Sequence, residues 1–432
     1  MKIVILAGGK GTRLGLTDRP KAMVDVNGVP LLERLITGAR DQGFTDFLLL
    51  TGVMGDVIAD HFGDGSRFGV RIECLRETEA LGTGGAVRDA RDRLSEPFLI
   101  MYGDTLLDVD LNRLAAAHAQ SGALGTLFVH PNDHPHDSDL LAADEDGRIL
   151  QFLPKPHEAG ARLPNLVSAA LYVLDPAAID FVPATGQSDW GRDIFPAIVD
   201  AGQPLHAYRS VEYIKDIGTP DRLKRGEGDL ASGKVARLSA RVAKPAIFLD
   251  RDGVLNREVN GVHRPELLEL IDGVGEALRR VNKAGVPAIC VTNQPDIAKG
   301  LMRVDDLRAV HAALDTALAA DGAYLDDLFY CPHHPEKGWE GEVPELKIVC
   351  DCRKPAPGML LRAADRHGLD LSRSWMIGDR YADIAAAHAC GARAILLKTG
   401  HAGSDGKNYE RQAEYICDTL AEAVDVVLKE IG

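Results

Sequence analysis

The sequence predicts an α/β fold in two domains, each a mostly parallel sheet flanked by helices. Three observations carry that prediction. Short runs of strand-forming apolar residues, at Lys2 to Ala7, Phe47 to Thr51, Pro97 to Met101, Ala246 to Leu249 and Val286 to Val291, read as strands buried on both faces. Segments with helical apolar spacing separate them, as at Leu31, Leu32, Leu35, Ile36 and Ala39, and such alternation favours parallel pairing. The chain has 432 residues, enough for two sizeable cores, and residues 225 to 243 are rich in Gly, Ala, Ser and charge. That stretch reads as a linker with a short helix, between domains at 1 to 224 and 244 to 432.

With 45% hydrophobic and 26% charged residues, the composition is that of an ordinary globular chain. The formal net charge of −15 leaves no basic stripe to neutralise a nucleic-acid backbone, so any phosphate must be held locally by a few placed cations. No uncharged run approaches the ~20 residues that span a bilayer. Met1 to Ala7 leads into a glycine loop without a cleavage-site pattern, and both features point to the cytoplasm and away from a membrane. Seven cysteines are an odd number, and Cys331, Cys350 and Cys352 crowd into one region; a metal site in a reducing compartment fits better than disulfides.

The first strand opens onto Gly8-Gly9-Lys10-Gly11-Thr12-Arg13-Leu14, whose glycines let several backbone N–H groups face one anion. The loop lacks the closing Gly-Lys-Ser/Thr of a P-loop, and Leu14 stands where a dinucleotide fingerprint needs its third glycine. Arg13 in the loop and Lys21 after Pro20 add two cations that can reach a triphosphate. A second glycine cluster, Leu81-Gly82-Thr83-Gly84-Gly85-Ala86, is suited to line a nucleotide base or to form a plain loop. Asp104 follows a strand, where magnesium would meet phosphates, and Asp216 ends a later strand and can pair with it. His130, His134 and His136 match no familiar ligand spacing and read as a solvated loop. Lys155, between Pro154 and Pro156, is a cation on a stiff extended segment, suited to a fixed phosphate.

Those pieces, with Phe152-Leu153-Pro154-Lys155-Pro156 and Asp216-Ile217-Gly218-Thr219-Pro220, resemble the Rossmann-like sugar-1-phosphate nucleotidyltransferases over residues 1 to 224. The resemblance implies that Gly8, Gly9, Gly11, Thr12 and Gly82 bind the nucleotide. It implies that Arg13 and Lys21 bind the triphosphate and stabilise transition-state charge, that Asp104 and Asp216 hold Mg2+, and that Lys155 binds the sugar phosphate. Pro154 departs from the acidic residue that many members carry before the lysine. The reaction implied is in-line attack of a sugar-1-phosphate oxygen on the α-phosphorus of a nucleoside triphosphate, with pyrophosphate leaving.

In the second domain the strand Ala246 to Leu249 delivers Asp250-Arg251-Asp252-Gly253 onto a turn. Adjacent carboxylates repel unless a cation or shared proton intervenes, so the pair reads as a metal site or as an acidic turn capping a helix. Thr292 and Asn293 end a strand with a hydroxyl and an amide suited to phosphate oxygens. Arg353 and Lys354 are adjacent cations, and Asp379-Arg380-Tyr381-Ala382-Asp383 places two carboxylates four residues apart. Cys331, His333, Cys350 and Cys352 supply three thiolates and an imidazole, which close a tetrahedral structural zinc site, with His334 the alternative imidazole. Cys74, Cys290, Cys390 and Cys417 read as ordinary core or helix residues.

The order of a nucleophile strand, a Thr strand, a lysine and a late acidic pair resembles the haloacid-dehalogenase-like (HAD-like) phosphatases, with a Rossmannoid fold. The zinc-loop motifs narrow the likeness to heptose 1,7-bisphosphate phosphatases over residues 244 to 400, with histidinol-phosphate phosphatases the near alternative. The resemblance implies that Asp250 is the nucleophile and Asp252 the acid/base. It implies that Asp250, Asp252 (through its backbone carbonyl) and Asp379 hold Mg2+ with Asp383 in support, and that Thr292 and Lys354 bind the phosphoryl group, with Asn293, Arg353 and Arg380 also at the substrate. Pro295-Asp296 departs from the Ser-Gly usual after Asn-Gln, and a Trp339-containing insertion lies between His333 and Cys350. Together the two resemblances imply consecutive steps on small molecules. A heptose 1,7-bisphosphate loses its 7-phosphate, and the heptose 1-phosphate then receives GMP from GTP, giving GDP-heptose. The alternatives are a hexose-1-phosphate nucleotidyltransferase fused to a histidinol-phosphate-type phosphatase, and a chain in which one domain only binds sugar nucleotide and regulates.

Overall fold

Ile3, Ile5 and Ala7 face one side of the strand Lys2–Ala7 and Val4 the other, and all four are essentially inaccessible to solvent. A strand covered on both faces belongs at the middle of a parallel sheet. In the computed structural model it lies between Phe98–Tyr102 and Asp46–Thr51, parallel to both, and Arg71–Arg76 continues the parallel run at the edge. The structure describes residues 1–9, 11–405 and 412–431, without the side chain of Thr12. Among these residues the first sheet has nine strands. Val167–Leu174 joins Phe98–Tyr102 antiparallel, so this half is a mixed sheet with a parallel centre. A turn at Asp144 to Arg148 connects Leu140–Ala143 to Ile149–Leu153 as an antiparallel hairpin. A separate two-stranded ribbon pairs Thr105–Asp108 with Tyr213–Asp216 antiparallel.

The second sheet has six strands among the described residues, in the order Asp327–Cys331, Ala288–Asn293, Ile247–Leu249, Trp375–Gly378, Arg393–Leu397, Tyr415–Cys417. Every pair in it is parallel. Helices Val274–Ala284 and Leu420–Ile431 bury Leu278, Val281, Val424 and Val427 on one face, and Gly358–His367 and Tyr381–Ala389 bury Leu360, Ala363 and Ile384 on the other. No helix among the described residues is long and apolar enough to cross a membrane.

The chain divides into two units, Met1–His130 with Asp139–Lys155 and Val167–Arg241, and Pro131–Ser138 with Pro156–Leu166 and Val242–Gly432. This differs in one respect from a single expected boundary, because segments 131–138 and 156–166 group with the second unit. The segment 156–166 lies outside the strands, and two of its backbone donors are satisfied by side chains of the helix Val304–Ala320. Leu163 N–H donates to Thr316 Oγ1 and Asn165 N–H to Asp315 Oδ2, each at 2.9 Å. The stretch read as a linker is largely helical, at Pro220–Ala231 and Lys234–Leu238, and Leu223, Leu230, Val235 and Leu238 pack with Leu106 and Ile217.

Candidate functional sites

In the first unit the carboxyl ends of Lys2–Ala7 and Phe98–Tyr102 lie side by side, so Gly8-Gly9 and Gly103-Asp104 emerge together. Lys21 N–H donates to Gly9 O at 3.2 Å, which folds the chain after the glycine loop back over it. The Lys21 side chain is 11% exposed; its ammonium rests on the Asp104 carboxylate and stands 3.7 Å from Asp216 Oδ1. The ribbon accounts for the pairing of the two aspartates: Asp216 is in register with Thr105, and Ile217 N–H donates to Asp104 O at 3.0 Å. A Cβ on Gly218 would press on the end of the Lys21 side chain and on Asp216 Oδ1, so the glycine leaves room for the two to meet. Two carboxylates and an ammonium thus converge from three distant segments.

Other residues of the sequence reading are placed differently. Arg13 is exposed on the turn Thr12–Leu14 and makes no ion pair with either carboxylate among the described residues. The Thr12 side chain and Lys10 lie outside the described residues. Lys155 is exposed, its backbone N–H donating to Asp139 Oδ1 at 3.0 Å. The second glycine cluster has a packing reason. Gly82 has φ +73° and its missing Cβ would strike Ser188 O, while Gly84 N–H donates to that same oxygen at 2.8 Å. Two residues carried no signal in the sequence. Arg222 Nη1 donates to Asp216 Oδ2 at 2.5 Å. Glu77 Oε2 comes within 3.5 Å of where a Cβ on Gly8 would stand, and burial, then the charge of Asp89, raises its carboxyl to about 6.

In the second unit, register sets the site. Leu249 is opposite both Cys290 and Ile377, so the strands deliver Asp250, Thr292 and Asp379 to one edge of the sheet. Lys354, 3% exposed, donates to Val291 O at 2.8 Å and pairs with Asp250 Oδ1 at 2.9 Å and Asp383 Oδ1 at 2.6 Å. Burial works against its ammonium, but the two carboxylates outweigh that and raise it well above the ordinary value. Asn293 uses both ends of its amide on the Lys354 backbone, Oδ1 accepting at 3.0 Å and Nδ2 donating at 3.1 Å, so it holds the segment that carries the lysine. Thr292 Oγ1 is buried and accepts from Gln294 Nε2 at 2.9 Å.

Carboxylate oxygens of Asp250, Asp379 and Asp383 lie within 4.8 Å of one another. Asp379 Oδ2 accepts the His401 N–H at 2.6 Å, while Oδ1 is buried with no hydrogen-bond partner among the described residues. Burial first, and the charge of Asp250 second, push Asp379 up to about 7. Three buried carboxylates around one ammonium, with an orphaned oxygen, fit a small hard divalent cation. The carboxylate of Asp252, the expected acid/base, is held by a separate set of donors. Arg251, completely buried, donates to both its oxygens, Asn256 Nδ2 donates to Oδ1 at 2.9 Å, and Gln294 Nε2 donates to Oδ2 at 3.0 Å. Burial opposes the charge of Asp252, but these donors prevail and its pKa is lowered. Arg251 also faces His311 Nε2 at 3.5 Å; burial, with the Arg251 charge, depresses that imidazole to about 3, so it is neutral. Arg353 donates to His333 O at 3.3 Å, and exposed Arg380 leans on the His401 ring.

The zinc-type cluster is assembled. The three sulfurs of Cys331, Cys350 and Cys352 lie 3.1, 3.2 and 3.6 Å apart, and His333 Nδ1 is 3.2 Å from Cys352 Sγ and 3.7 Å from Cys331 Sγ. These are close to the ~3.8 Å edges of a tetrahedron with 2.3 Å metal–sulfur bonds. His334 instead sets Nδ1 against Glu336 O at 3.4 Å and its ring edge-on to Trp339, which leaves His333 as the imidazole of the cluster.

Comparison with known proteins finds relatives of both parts of the chain. Residues 2–232 match the family model described as nucleotidyl transferase, and residues 351–423 match the HAD-hydrolase-like model. The D-glycero-β-D-manno-heptose-1,7-bisphosphate 7-phosphatase of Salmonella typhi is 38% identical over 187 residues, 43% of this chain and 96% of the relative. The D-glycero-D-manno-heptose-1,7-bisphosphate 7-phosphatase of Thermosynechococcus vestitus is 43% identical over 195 residues, 44% of this chain and 98% of the relative. Among solved structures, the D,D-heptose 1,7-bisphosphate phosphatase from B. bronchiseptica, complexed with magnesium and phosphate, is 32% identical and covers 43% of this chain and 99% of its own, with a TM-score of 0.39. HddC from Yersinia pseudotuberculosis is 25% identical and covers 53% of this chain and 99% of its own, with a TM-score of 0.46. The chain therefore belongs to the nucleotidyl transferase family through its N-terminal half and to the heptose-bisphosphate phosphatases through its C-terminal part, a fusion of a nucleotidyltransferase with a phosphomonoesterase.

Proposed function

We propose that the chain carries out two consecutive steps, removal of the 7-phosphate of D-glycero-D-manno-heptose 1,7-bisphosphate and transfer of GMP from GTP to the resulting heptose 1-phosphate. The observation that carries the first step is Asp250 held by Lys354 Nζ at 2.9 Å beside the orphaned oxygen of Asp379. In this reading Asp250 attacks phosphorus and becomes an aspartyl phosphate. Lys354 then neutralises charge on the phosphoryl oxygens, and Asp252, which first takes up a proton against the donors that hold it ionised, gives that proton to the leaving alcohol and later takes one back from water. Mg2+, held by Asp250 and Asp379 with Asp383 behind them, supplies electrostatic stabilisation of the transferring group. The cluster of Cys331, His333, Cys350 and Cys352 holds a structural Zn2+.

In the N-terminal site Lys21 leaves its carboxylate partners for the triphosphate, and Asp104 and Asp216 hold a second Mg2+. Glu77 favours GTP among the nucleotides: a carboxylate beside the glycine loop accepts two parallel donors, and guanine alone presents N1–H and an exocyclic N2–H2 side by side. Incubating the chain with the bisphosphate, GTP and Mg2+ should yield GDP-heptose, phosphate and pyrophosphate. Histidinol phosphate as the only good phosphatase substrate would sink the first step. A Glu77→Gln variant that keeps its preference for GTP over ATP and UTP would sink the assignment of the base.

A further inference from the structure

The carboxylate of Asp216 is held at both oxygens. Oδ1 accepts the Gly218 N–H at 2.6 Å, and Oδ2 accepts Arg222 Nη1 at 2.5 Å. Arg222 lies in the first turn of the helix Pro220–Ala231, whose cap Thr219 accepts the Arg222 N–H through its hydroxyl at 3.4 Å. The helix therefore directs a guanidinium back across its own cap to the end of the strand Tyr213–Asp216. A carboxylate gripped at one oxygen still swings about that contact. Donors at both oxygens fix its plane, here with Oδ1 toward Lys21 and Asp104. We propose that Arg222 is a positioning residue of the nucleotidyl-transfer centre, locking Asp216 so that it and Asp104 face one divalent cation together.

The inference rests on the reading of Asp104 and Asp216 as the metal carboxylates. Arg222 acts through Asp216 and touches no substrate. Partners that orient a ligating carboxylate are typically worth 10–100-fold in metal affinity or activity. Both side chains of the pair are about 40% exposed, so the ion pair adds little to stability and its loss should leave the fold intact. Lysine is a poor substitute, since its point charge on a flexible stem does not fix a carboxylate plane as a guanidinium fork does.

The test uses the full-length chain. Mn2+ binding in the presence of a non-hydrolysable GTP analogue is followed by electron paramagnetic resonance in an Asp379→Asn background, which silences the other site. Mg2+ half-saturation of pyrophosphate release is measured in the otherwise unaltered chain. Arg222→Ala should weaken Mn2+ binding and raise the Mg2+ requirement by 10–100-fold, with turnover recovering at saturating Mg2+. Arg222→Lys should restore only part of this, and phosphate release by the other domain should not change. An Arg222→Ala chain within twofold of the parent in both measurements, or one whose turnover stays low at saturating Mg2+, overturns the proposal. A parent that neither binds Mn2+ there nor transfers nucleotide would instead overturn the metal reading of Asp104 and Asp216.

Discussion

Replacing Asp379 by Asn is expected to stabilise the magnesium-free chain and to abolish phosphate release. Asp379 is completely buried, one of its oxygens meets no donor among the described residues, and its carboxyl is raised from 3.8 to about 7 by burial and then by Asp250. For an acid with a raised native pKa, stability is intact below about pH 4, where both states are protonated. It is lost as pH rises, because the unfolded chain releases its proton first, and the loss is complete above about pH 7. At about 1.4 kcal/mol per pH unit the gap amounts to roughly 4 kcal/mol. The asparagine keeps a neutral bond from His401 N–H in place of a charge-assisted one, which takes back about 1 kcal/mol. A net gain of about 2–3 kcal/mol at pH 8 corresponds to roughly 5–10 °C for a domain of this size. Calorimetry at pH 8 and pH 5 in magnesium-free buffer, with no chelator so that zinc is retained, measures it. The gain should shrink to less than half at pH 5, and Mg2+ should raise the transition of the phosphatase domain in the parent alone. A variant less stable than the parent at pH 8, or one with an equal gain at both pH values, would refute an uncompensated buried charge.

The other expectations concern separate parts of the two sites. Gly218→Ala should reduce pyrophosphate release by about 10²-fold, since the new methyl crowds the Asp216 carboxylate as well as the end of Lys21; phosphate release should be untouched, and parallel assays on one preparation check both. Cys352→Ser should lose one equivalent of zinc in a metal-release assay and at least 10-fold of phosphatase turnover, while nucleotidyl transfer persists. Gln294→Met removes a donor to the Asp252 carboxylate. The pKa of Asp252 is then expected to rise by roughly one unit, as a hydrogen bond to a charged group contributes ~1.5 kcal/mol. The corresponding limb of the pH profile of kcat/KM should move up with it, and an unmoved limb would remove Gln294 from the acid/base pair.

Much of the site was legible because the sheet converts sequence order into space. A buried strand that ends in Asp, or in Thr followed by Asn, puts those side chains at one edge whatever lies between, so Asp250, Thr292 and Asp379 were readable from local pattern. The thiolates of Cys331, Cys350 and Cys352 were readable because few structural roles need three cysteines at that spacing. What local pattern did not encode is the use of a side chain already assigned to something else. Asn293 looked like a phosphate ligand but holds Lys354, and Arg251 looked like a spacer between two aspartates but fixes the second of them. The glycines at 82 and 84 looked like a loop over a base, yet they are small because Ser188 presses on them, a contact 106 residues from Gly82. Segment 156–166 groups with the second unit for a related reason: Leu163 and Asn165 find their backbone partners on a helix far along the chain.

The cysteine cluster bears on the chemistry more directly than a loop brace would. Its first ligand, Cys331, ends the strand Asp327–Cys331, and the carbonyl of that same residue accepts the Gln294 N–H at 2.8 Å. Gln294 in turn donates to Asp252. Its last ligand, Cys352, stands two residues before Lys354, the cation on Asp250 and Asp383. One ion joining these ligands would therefore fix, through one backbone hydrogen bond and one short covalent path, a donor to the acid/base residue and the cation beside the nucleophile. A zinc site that merely closed a surface loop would have no reason to sit at the ends of both paths. Loss of zinc should accordingly lower turnover more than it raises KM, because what is displaced is the alignment of Lys354 and Gln294 and not the surface that first meets the sugar.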